Sequence, residues 1–294
     1  MPKSALRKWL VGGPPLAYLL FFFAAPLLIM VVASFRSPGD FGGLAPLLLH
    51  DDSGTQLNLT TEAYERFFSD FLYTGLFLKS FGYAALATLL CLAAGYPLAL
   101  LVARSPRKYR DILVLLVILP FWSNFLIRVY AWMMLLGPQS FVSAALNGLL
   151  GLAGLEPVSL LYTPTAVVVT LVYVHLPFMV LPLYANLEKH DPALLDAAQD
   201  LGAGAWQRFW RVTFPLSLPG VYAGAALVFI PAVGIFAIPD LLGGTSGIMI
   251  GNVIKQQFLD TRDWPFGAAL SLMLMLSALA LAALAARFGR GALR

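Results

Sequence analysis

Long stretches without a charged residue dominate the chain. Five of them cover residues 9–35, 80–103, 157–187, 212–239 and 264–286. Each has room for the roughly 20 apolar residues that cross a hydrocarbon core about 30 Å thick. A sixth apolar stretch, from Ile112 to about Leu136, contains one charged residue, Arg128. Because charges at the bilayer centre are costly, this pattern predicts membrane-spanning helices.

The pattern therefore predicts an all-α membrane protein in which residues 1–294 form a single transmembrane domain. We expect six spans, near residues 14–34, 77–103, 111–136, 162–186, 220–239 and 265–287. A secretory signal peptide is the alternative for the first span. Its apolar run is well beyond the roughly 7–15 residues of a signal core, which favours an uncleaved anchor.

The composition agrees with a membrane protein and argues against a soluble one. Hydrophobic residues make up 60% of the 294 residues and charged residues 12%, where a soluble domain has about 25% charge. The net charge of +4 is better explained by basic cytoplasmic loops than by nucleic-acid binding. Because Cys91 is the only cysteine, no disulfide can form within the chain. The three histidines lack the spacing of metal ligands. We expect His175, within an apolar stretch, to be packed or bonded to the backbone.

Lysine and arginine are distributed unevenly between the two sides that six spans define. With the N-terminus inside, thirteen lie in inner segments: Lys3, Arg7, Lys8, Arg104, Arg107, Lys108, Arg110, Lys189, Arg208, Arg211, Arg287, Arg290 and Arg294. Five lie outside: Arg36, Arg66, Lys79, Lys255 and Arg262. The positive-inside rule then predicts a multi-pass protein with both termini in the cytoplasm. The outer segments are 36–75, with an amphipathic helix over Thr61–Tyr73, 137–161 and 240–264.

The largest inner segment, residues 187–219, has the composition of two short helices. Asp191 and Pro192 are typical of a helix start, and Gly202 or Gly204 of its left-handed end. We expect a second helix from Ala205 to about Arg211, ending before Phe214-Pro215. The apolar faces of the two short helices allow two interpretations about equally well. They could dock into another protein, or they could form an interfacial hairpin on the lipid headgroups.

The residue spacing in this segment resembles the cytoplasmic loop of ATP-binding-cassette (ABC) importer permeases. That loop has the pattern Glu-Ala-Ala, three residues, Gly, nine residues, then Ile-x-Leu-Pro. Here Asp196-Ala197-Ala198, Gly202 and Val212-Thr213-Phe214-Pro215 have the same spacing. Asp196, Val212 and Phe214 replace the Glu, Ile and Leu of that pattern, which are conservative changes that leave the spacing intact.

The resemblance implies a type I ABC importer permease fold with cytoplasmic coupling helices. In this family, the first loop helix (192–202 here) is seated in a cleft of the ATPase subunit. We assign ATPase coupling to Asp196, Ala197, Ala198, Gly202, Arg208, Phe209 and Pro215. The chain has no G-x-x-x-x-G-K-[ST] motif, so we expect no enzyme activity and no bound cofactor or metal. ATP and Mg would bind to the partner ATPase.

Further stretches resemble the inner-membrane permeases of spermidine/putrescine importers. They are residues 120–137, 172–189, 227–244 and 250–267. The resemblance covers most of 80–287 and fades in 36–75. It implies half of a polyamine pathway working by alternating access with a second, similar permease, two ATPase subunits and an extracytoplasmic binding protein. The alternatives are another small solute (an opine, an amino-acid derivative or a phosphonate) and a stand-alone secondary transporter.

A polyamine needs carboxylates and aromatic faces along its path. We assign the translocation pathway to Trp122, Asn124, Arg128, Tyr130, Trp132, Tyr173 and Asp240. Arg128 would repel a cation, so we expect it to pair with Asp240, or with an acid of the second permease, as an outer gate. Asn124 and Trp132 are expected on the same helix face as Arg128. For the aromatic residues, packing or an interfacial belt is the alternative. Asp263-Trp264-Pro265 is expected to start the sixth span.

Overall fold

A computed structural model describes residues 12–51 and 54–291, with side chains outside 49–56 and 284–291. The regular secondary structure of the described residues is helical except for one antiparallel hairpin of β1 (Leu48–Asp51) and β2 (Gly54–Leu57), in which Leu48 pairs with Leu57. Its helices are α1 (Gly12–Ser34), α2 (Glu62–Ser69), α3 (Phe71–Arg104), α4 (Arg107–Ile118), α5 (Phe125–Leu136), α6 (Phe141–Leu152), α7 (Pro164–Leu187), α8 (Ala193–Asp200), α9 (Ala205–Gly234), α10 (Ala237–Leu242), α11 (Ile250–Leu259) and α12 (Trp264–Gly291).

Six helical segments of the described chain are long and apolar enough to cross a membrane, which confirms the predicted fold class. They are Gly12–Ser34, Phe71–Arg104, Phe125–Leu152, Pro164–Leu187, Ala205–Gly234 and Trp264–Ala283. Large apolar side chains lie open on their surfaces, for example Phe23 at 77% exposure, Leu89 at 63% and Met134 at 77%. Because contiguous apolar surface of this kind is unfavourable in water, these helices need lipid or protein around them.

The third apolar segment differs from the prediction of one helix over 111–136. Helix α4 ends at Ile118, a 3₁₀ turn covers Leu119–Trp122, and α5 starts at Phe125. The physical reason is Pro120, which has no N–H for the helical ladder. The apolar segment instead continues from α5 into α6, with a short turn between Leu136 and Phe141.

The fifth apolar segment also has different ends from the expected 220–239. Helix α9 starts at Ala205, well before Gly220, and stops at Gly234, where Ile235 is extended. Asp240 therefore belongs to the separate short helix α10 rather than to the end of a span.

Helix α2 in the segment after α1 is shorter than expected. It ends at Ser69, and Asp70 is extended before α3 begins. The predicted start of the last span is confirmed, since Asp263 Oδ1 accepts a hydrogen bond from the Phe266 amide at 3.2 Å. The hairpin was not predicted, and the cations Lys3, Arg7, Lys8 and Arg294 lie outside the described residues.

The described residues form two compact units, one of residues up to Thr74 with Val253–Ser277, the other of Gly75–Asn252 with the residues from Ala278. That the chain is a single transmembrane domain stays a prediction.

The core of the second unit lies where α3, α7 and α9 meet. Its buried residues are Cys91, Tyr96, Ala99, Met179, Val180, Leu183, Leu187, Val221 and Val228. Glycine permits the approach of α7 and α9: a Cβ at Gly224 would lie 2.7 Å from Met179 Sδ and 3.1 Å from the Met179 carbonyl oxygen. Any larger residue there would force the two helices apart.

Candidate functional site

The segment between α7 and α9 contains α8, the predicted coupling helix. The Asp191 carboxylate accepts a hydrogen bond from the Ala193 amide at 3.0 Å, which caps the start of α8 as expected. At the other end, Gly202 has φ +82° and its amide donates to the Gln199 carbonyl at 2.8 Å. This is the left-handed helix end that the glycine predicted.

Helix α8 leaves most of its surface uncovered by this chain. Asp196 and Ala197 are exposed and Ala198 is half-buried. Leu194 is 47% exposed and Leu201, directly after the helix, is 89% exposed. A short, capped helix with open apolar and acidic positions can accept a protein partner without rearranging.

The second half of the segment departs from the prediction of a helix that ends before Phe214-Pro215. The helix that begins at Ala205 continues through a π turn, Phe209–Thr213, into the rest of α9. Pro215 cannot donate to the ordinary helical ladder, and the wider turn just before it takes up the change in bonding. The Arg208 side chain donates to Gln199 Oε1, which ties the start of α9 to α8.

Phe209 lies on the inner side of this segment. Its ring centroid is 5.5 Å from that of Tyr96 on α3 and 6.2 Å from that of Phe214. The Tyr96 hydroxyl is in turn hydrogen-bonded to Ser217 Oγ at 2.8 Å. By contrast, Trp206 is 73% exposed. Phe209 therefore connects the loop to the core of the spans, whereas Trp206 faces outward.

The start of α4 is tied to the end of α7 by an ion pair. Arg110 Nη1 lies 2.7 Å from Glu188 Oε1, and Arg110 Nη2 donates to the Ala103 carbonyl at 2.9 Å. Hydrogen bonds from Tyr184 and from Arg110 hold the pKa of Glu188 below its ordinary value. The pair therefore stays charged into the acidic range.

The residues assigned to the translocation pathway begin at the break between α4 and α5. Trp122 is 75% exposed there. The Asn124 side chain accepts a hydrogen bond from the Leu126 amide at 2.8 Å and caps α5. Asn124 has ψ 141°, outside the helical range. Asn124 is thus the N-cap of the helix that carries Arg128, and its carbonyl accepts a hydrogen bond from the Arg128 amide at 3.2 Å. The shared helix face stays a prediction.

Arg128 is only 9% exposed. Its guanidinium lies 4.8 Å from the ring centroid of Phe121, and its Nε and Nη1 atoms have no hydrogen-bond partner among the described residues. The structure brings Trp132 and Tyr173 together, with ring centroids 5.3 Å apart, while Tyr130 is 47% exposed. The gate role of Arg128 stays a prediction.

His175 is buried, and its Nδ1 is 2.9 Å from the Leu171 carbonyl oxygen. This confirms the expected backbone-bonded histidine.

Asp240 is exposed in the first turn of α10 and accepts a hydrogen bond from Asn252 Nδ2. Asn252 also donates to the Phe236 carbonyl at 2.9 Å, and its Oδ1 accepts from the Met249 amide at 3.0 Å. Sequence reasoning missed Asn252, although an amide in an otherwise apolar stretch is a usable indication. It also missed the Tyr96–Ser217 pair, which no local pattern indicates.

The fold and the loop define the class of protein: a multi-span membrane protein with a capped, exposed helix between two long spans. The sequence profile described as "Binding-protein-dependent transport system inner membrane component" matches residues 95–293. The chain belongs to this family, and it is a multi-pass inner-membrane protein.

Several relatives are similar over most of the chain. The spermidine/putrescine transport system permease protein PotB of Escherichia coli (strain K12) is 43% identical over 258 residues, which is 87% of this chain and 88% of the relative. The PotB protein of Haemophilus influenzae is 42% identical over 87% of this chain and 85% of its own length. The molybdenum transport system permease protein ModB of Mycobacterium bovis is 31% identical over 66% of this chain and 72% of its own length.

Solved structures share the fold. A crystal structure of a bacterial alginate ABC transporter, in complex with an alginate pentasaccharide-bound periplasmic protein, matches with a TM-score of 0.75. The alignment covers 98% of this chain and 96% of that chain at 19% identity. At this identity the likeness concerns the fold alone.

Proposed function

We propose that this chain is a permease subunit forming half of the polyamine pathway of an ATP-driven importer. The 43% identity to PotB over 87% of the chain supports spermidine and putrescine as the substrate class. Each substrate is a flexible chain carrying ammonium groups, which aromatic faces and carboxylates recognise.

The observation that carries the coupling role is the placement of α8. It is capped at Asp191, ended by Gly202 and open along the surface that carries Asp196 and Ala197. In the proposal, α8 sits in a cleft of the ATPase subunit, and Arg208 holds α8 against α9. Phe209 passes the movement to α3 through Tyr96.

The proposed assembly contains a second permease, two ATPase subunits and an extracytoplasmic binding protein. ATP and Mg bind to the ATPase subunits, and this chain carries out no catalysis. Both termini are cytoplasmic, in line with the excess of lysine and arginine in the inner segments. ATP binding closes the ATPase pair and opens the pathway outward, and hydrolysis resets it.

Within the proposed pathway, Trp132 and Tyr173 supply adjoining aromatic faces for the cation, and the exposed Trp122 and Tyr130 supply two further rings. Asp240, which is exposed on α10, supplies the carboxylate of the proposed pathway. Arg128, buried and positive, is the barrier that the substrate passes when the subunits open, and Asn124 fixes the start of the helix that carries it.

The test of the substrate is ATP hydrolysis by the complete complex in proteoliposomes with its binding protein. We expect stimulation by spermidine or putrescine and none by an amino acid or a phosphonate. Stimulation by one of those other solutes, with none by polyamines, would overturn the polyamine assignment and leave the family membership untouched.

The test of coupling is the substitution Asp196→Lys on α8. We expect polyamine uptake to be lost while the spans still fold, because a reversed charge would disturb docking to the ATPase. Glu156→Lys, which reverses the charge of an exposed acid between α6 and α7, is the matched control outside this helix. Wild-type uptake in Asp196→Lys would refute the docking role.

A further inference from the structure

A cleft of about 560 Å³ lies between the α3–α4 turn and the segment that leads into α8. Its lining includes Arg104, Arg107 and Arg110 from the end of α3 and the start of α4, and Glu188 and Asp191 from the segment after α7. Neither the function proposed above nor the family resemblance gives this cleft a role.

The charges around the cleft are unequally engaged. Arg110 is bound to Glu188 and to the carbonyls of Ala103 and Ser105. The Asp191 carboxylate caps α8. Arg104 and Arg107 are exposed, and neither has a hydrogen-bond or ion-pair partner within the part of the chain that the structure describes. Two guanidinium groups are therefore available for an anion.

The backbone adds to this positive region. Helix α4 is 12 residues long and begins at Arg107, and no side chain caps its start. The first amides of a helix and its dipole favour a negative group such as phosphate. The two exposed arginines and the uncapped helix start therefore favour the same kind of ligand.

Apart from His190 and Thr213, the rest of the lining is apolar, and its position relative to the ends of the spans indicates the ligand. Leu100, Leu187 and Leu216 form part of the wall. Helix α3 ends at Arg104 and α7 ends at Leu187, so the cleft lies where two spans end. A lipid headgroup is found at this level, with its glycerol and acyl carbons beside apolar walls. Basic pockets between spans on the cytoplasmic side are known to suit anionic headgroups.

We propose that this cleft binds the phosphate group of an anionic phospholipid, held by Arg104 and Arg107. The phosphate lies at the start of α4, and the lipid's apolar part lies along the leucine wall. The lining also includes Asp191, Pro192 and Leu195, at the start of α8. A bound headgroup therefore contacts the segment that positions α8, and it links the lipid surroundings to the position of that helix.

Binding is tested on the purified full-length chain by native mass spectrometry, with phosphatidylglycerol and phosphatidylcholine as competing probes. We expect preferential retention of phosphatidylglycerol. Loss of both arginines should weaken the binding of phosphatidylglycerol by about thirtyfold, because each arginine near an anionic surface adds to the affinity for it. The variant is Arg104→Gln/Arg107→Gln, and Lys108→Gln/Arg211→Gln removes the same charge from positions outside the lining.

A free phosphate is the other source of the same chemistry, and the experiment separates it from a lipid. Inorganic phosphate and glycerol phosphate are added at millimolar concentration. If they fail to displace phosphatidylglycerol, the lipid is the ligand; if they displace it fully, the lipid proposal is overturned. Equal retention of the two lipids, or equal losses in both double variants, would also overturn it. Lipid retention is measured without transport. A failure of the lipid proposal can therefore be distinguished from a failure of the proposed transport function.

Discussion

Replacing Phe209 with alanine should weaken the connection between the loop and the spans. The ring of Phe209 packs edge-on against Tyr96 at 5.5 Å and lies 5.2 Å from the ring of Trp210. Truncating a fully buried phenylalanine costs about 3–5 kcal/mol. Because Phe209 is half-buried, we take about 2 kcal/mol for the loss of contact.

The contacts that Phe209→Ala removes are proposed to transmit movement from the loop to the spans, and they do not involve ATP. About 2 kcal/mol corresponds to a factor of about thirty in an equilibrium. We therefore expect polyamine imported per ATP hydrolysed to fall by up to about thirtyfold in Phe209→Ala, while hydrolysis itself continues. The assay measures uptake and hydrolysis in the same proteoliposomes, with the assembled complex and its binding protein.

Two variants keep this prediction testable. Phe209→Leu retains most of the apolar volume and should recover part of the ratio, which also covers the case in which Phe209→Ala assembles poorly. Trp206→Ala removes a neighbouring ring that is 73% exposed and should leave the Tyr96 contact intact. A wild-type ratio of uptake to hydrolysis in assembled Phe209→Ala would refute the transmission through Tyr96.

Other substitutions follow from backbone geometry and charge. Gly202→Val places a branched residue at φ +82°, which costs about 1–2 kcal/mol, and it should lower polyamine uptake. Gly202→Asn should retain uptake, because asparagine tolerates this backbone conformation. Equal uptake in the two variants would contradict this prediction. Gly224→Val would overlap Met179 and should lower the melting temperature at a cost of about 1–3 kcal/mol. The control Gly82→Ala adds a methyl group in open space and should not lower the melting temperature. Equal decreases in the melting temperatures of the two variants would count against the close approach of α7 and α9. The lowered pKa of Glu188 means that its contribution to stability is present above the ordinary value of about 4.3 and is lost as pH falls through the folded value. Melting temperatures followed from pH 7 to well below that ordinary value should therefore decline more in wild type than in Glu188→Gln, and parallel curves would disprove it.

The number of spans could be predicted because charge is so costly in the bilayer. The ends of the spans could not, because they depend on single residues within apolar runs. Pro120 interrupts the third apolar segment, and Asn124 caps the helix that follows it. Pro215 suggested a helix end, yet a π turn carries the helix past it.

The loop was the most predictable part of the candidate site. Asp191 and Gly202 act through their own backbone neighbours, so a local pattern was enough to place α8. The sequence places Phe209 in the loop, but the direction of its side chain depends on Tyr96, which is far away in the sequence. The same limit applies to Asn252 beside Asp240 and to the burial of Arg128, since these arrangements exist only once the helices have packed.

The close approach at Gly224 restricts how the loop can move its surroundings. Helices α7 and α9 flank the loop on either side, and at Gly224 their backbones come too near to admit even a methyl group beside Met179. Pulling the two helices apart would open a void between them, and sliding one along the other would drive the Met179 side chain into a backbone. A push on α8 is therefore accommodated most easily by a joint tilt of both helices, in which the contact at Gly224 moves as one piece.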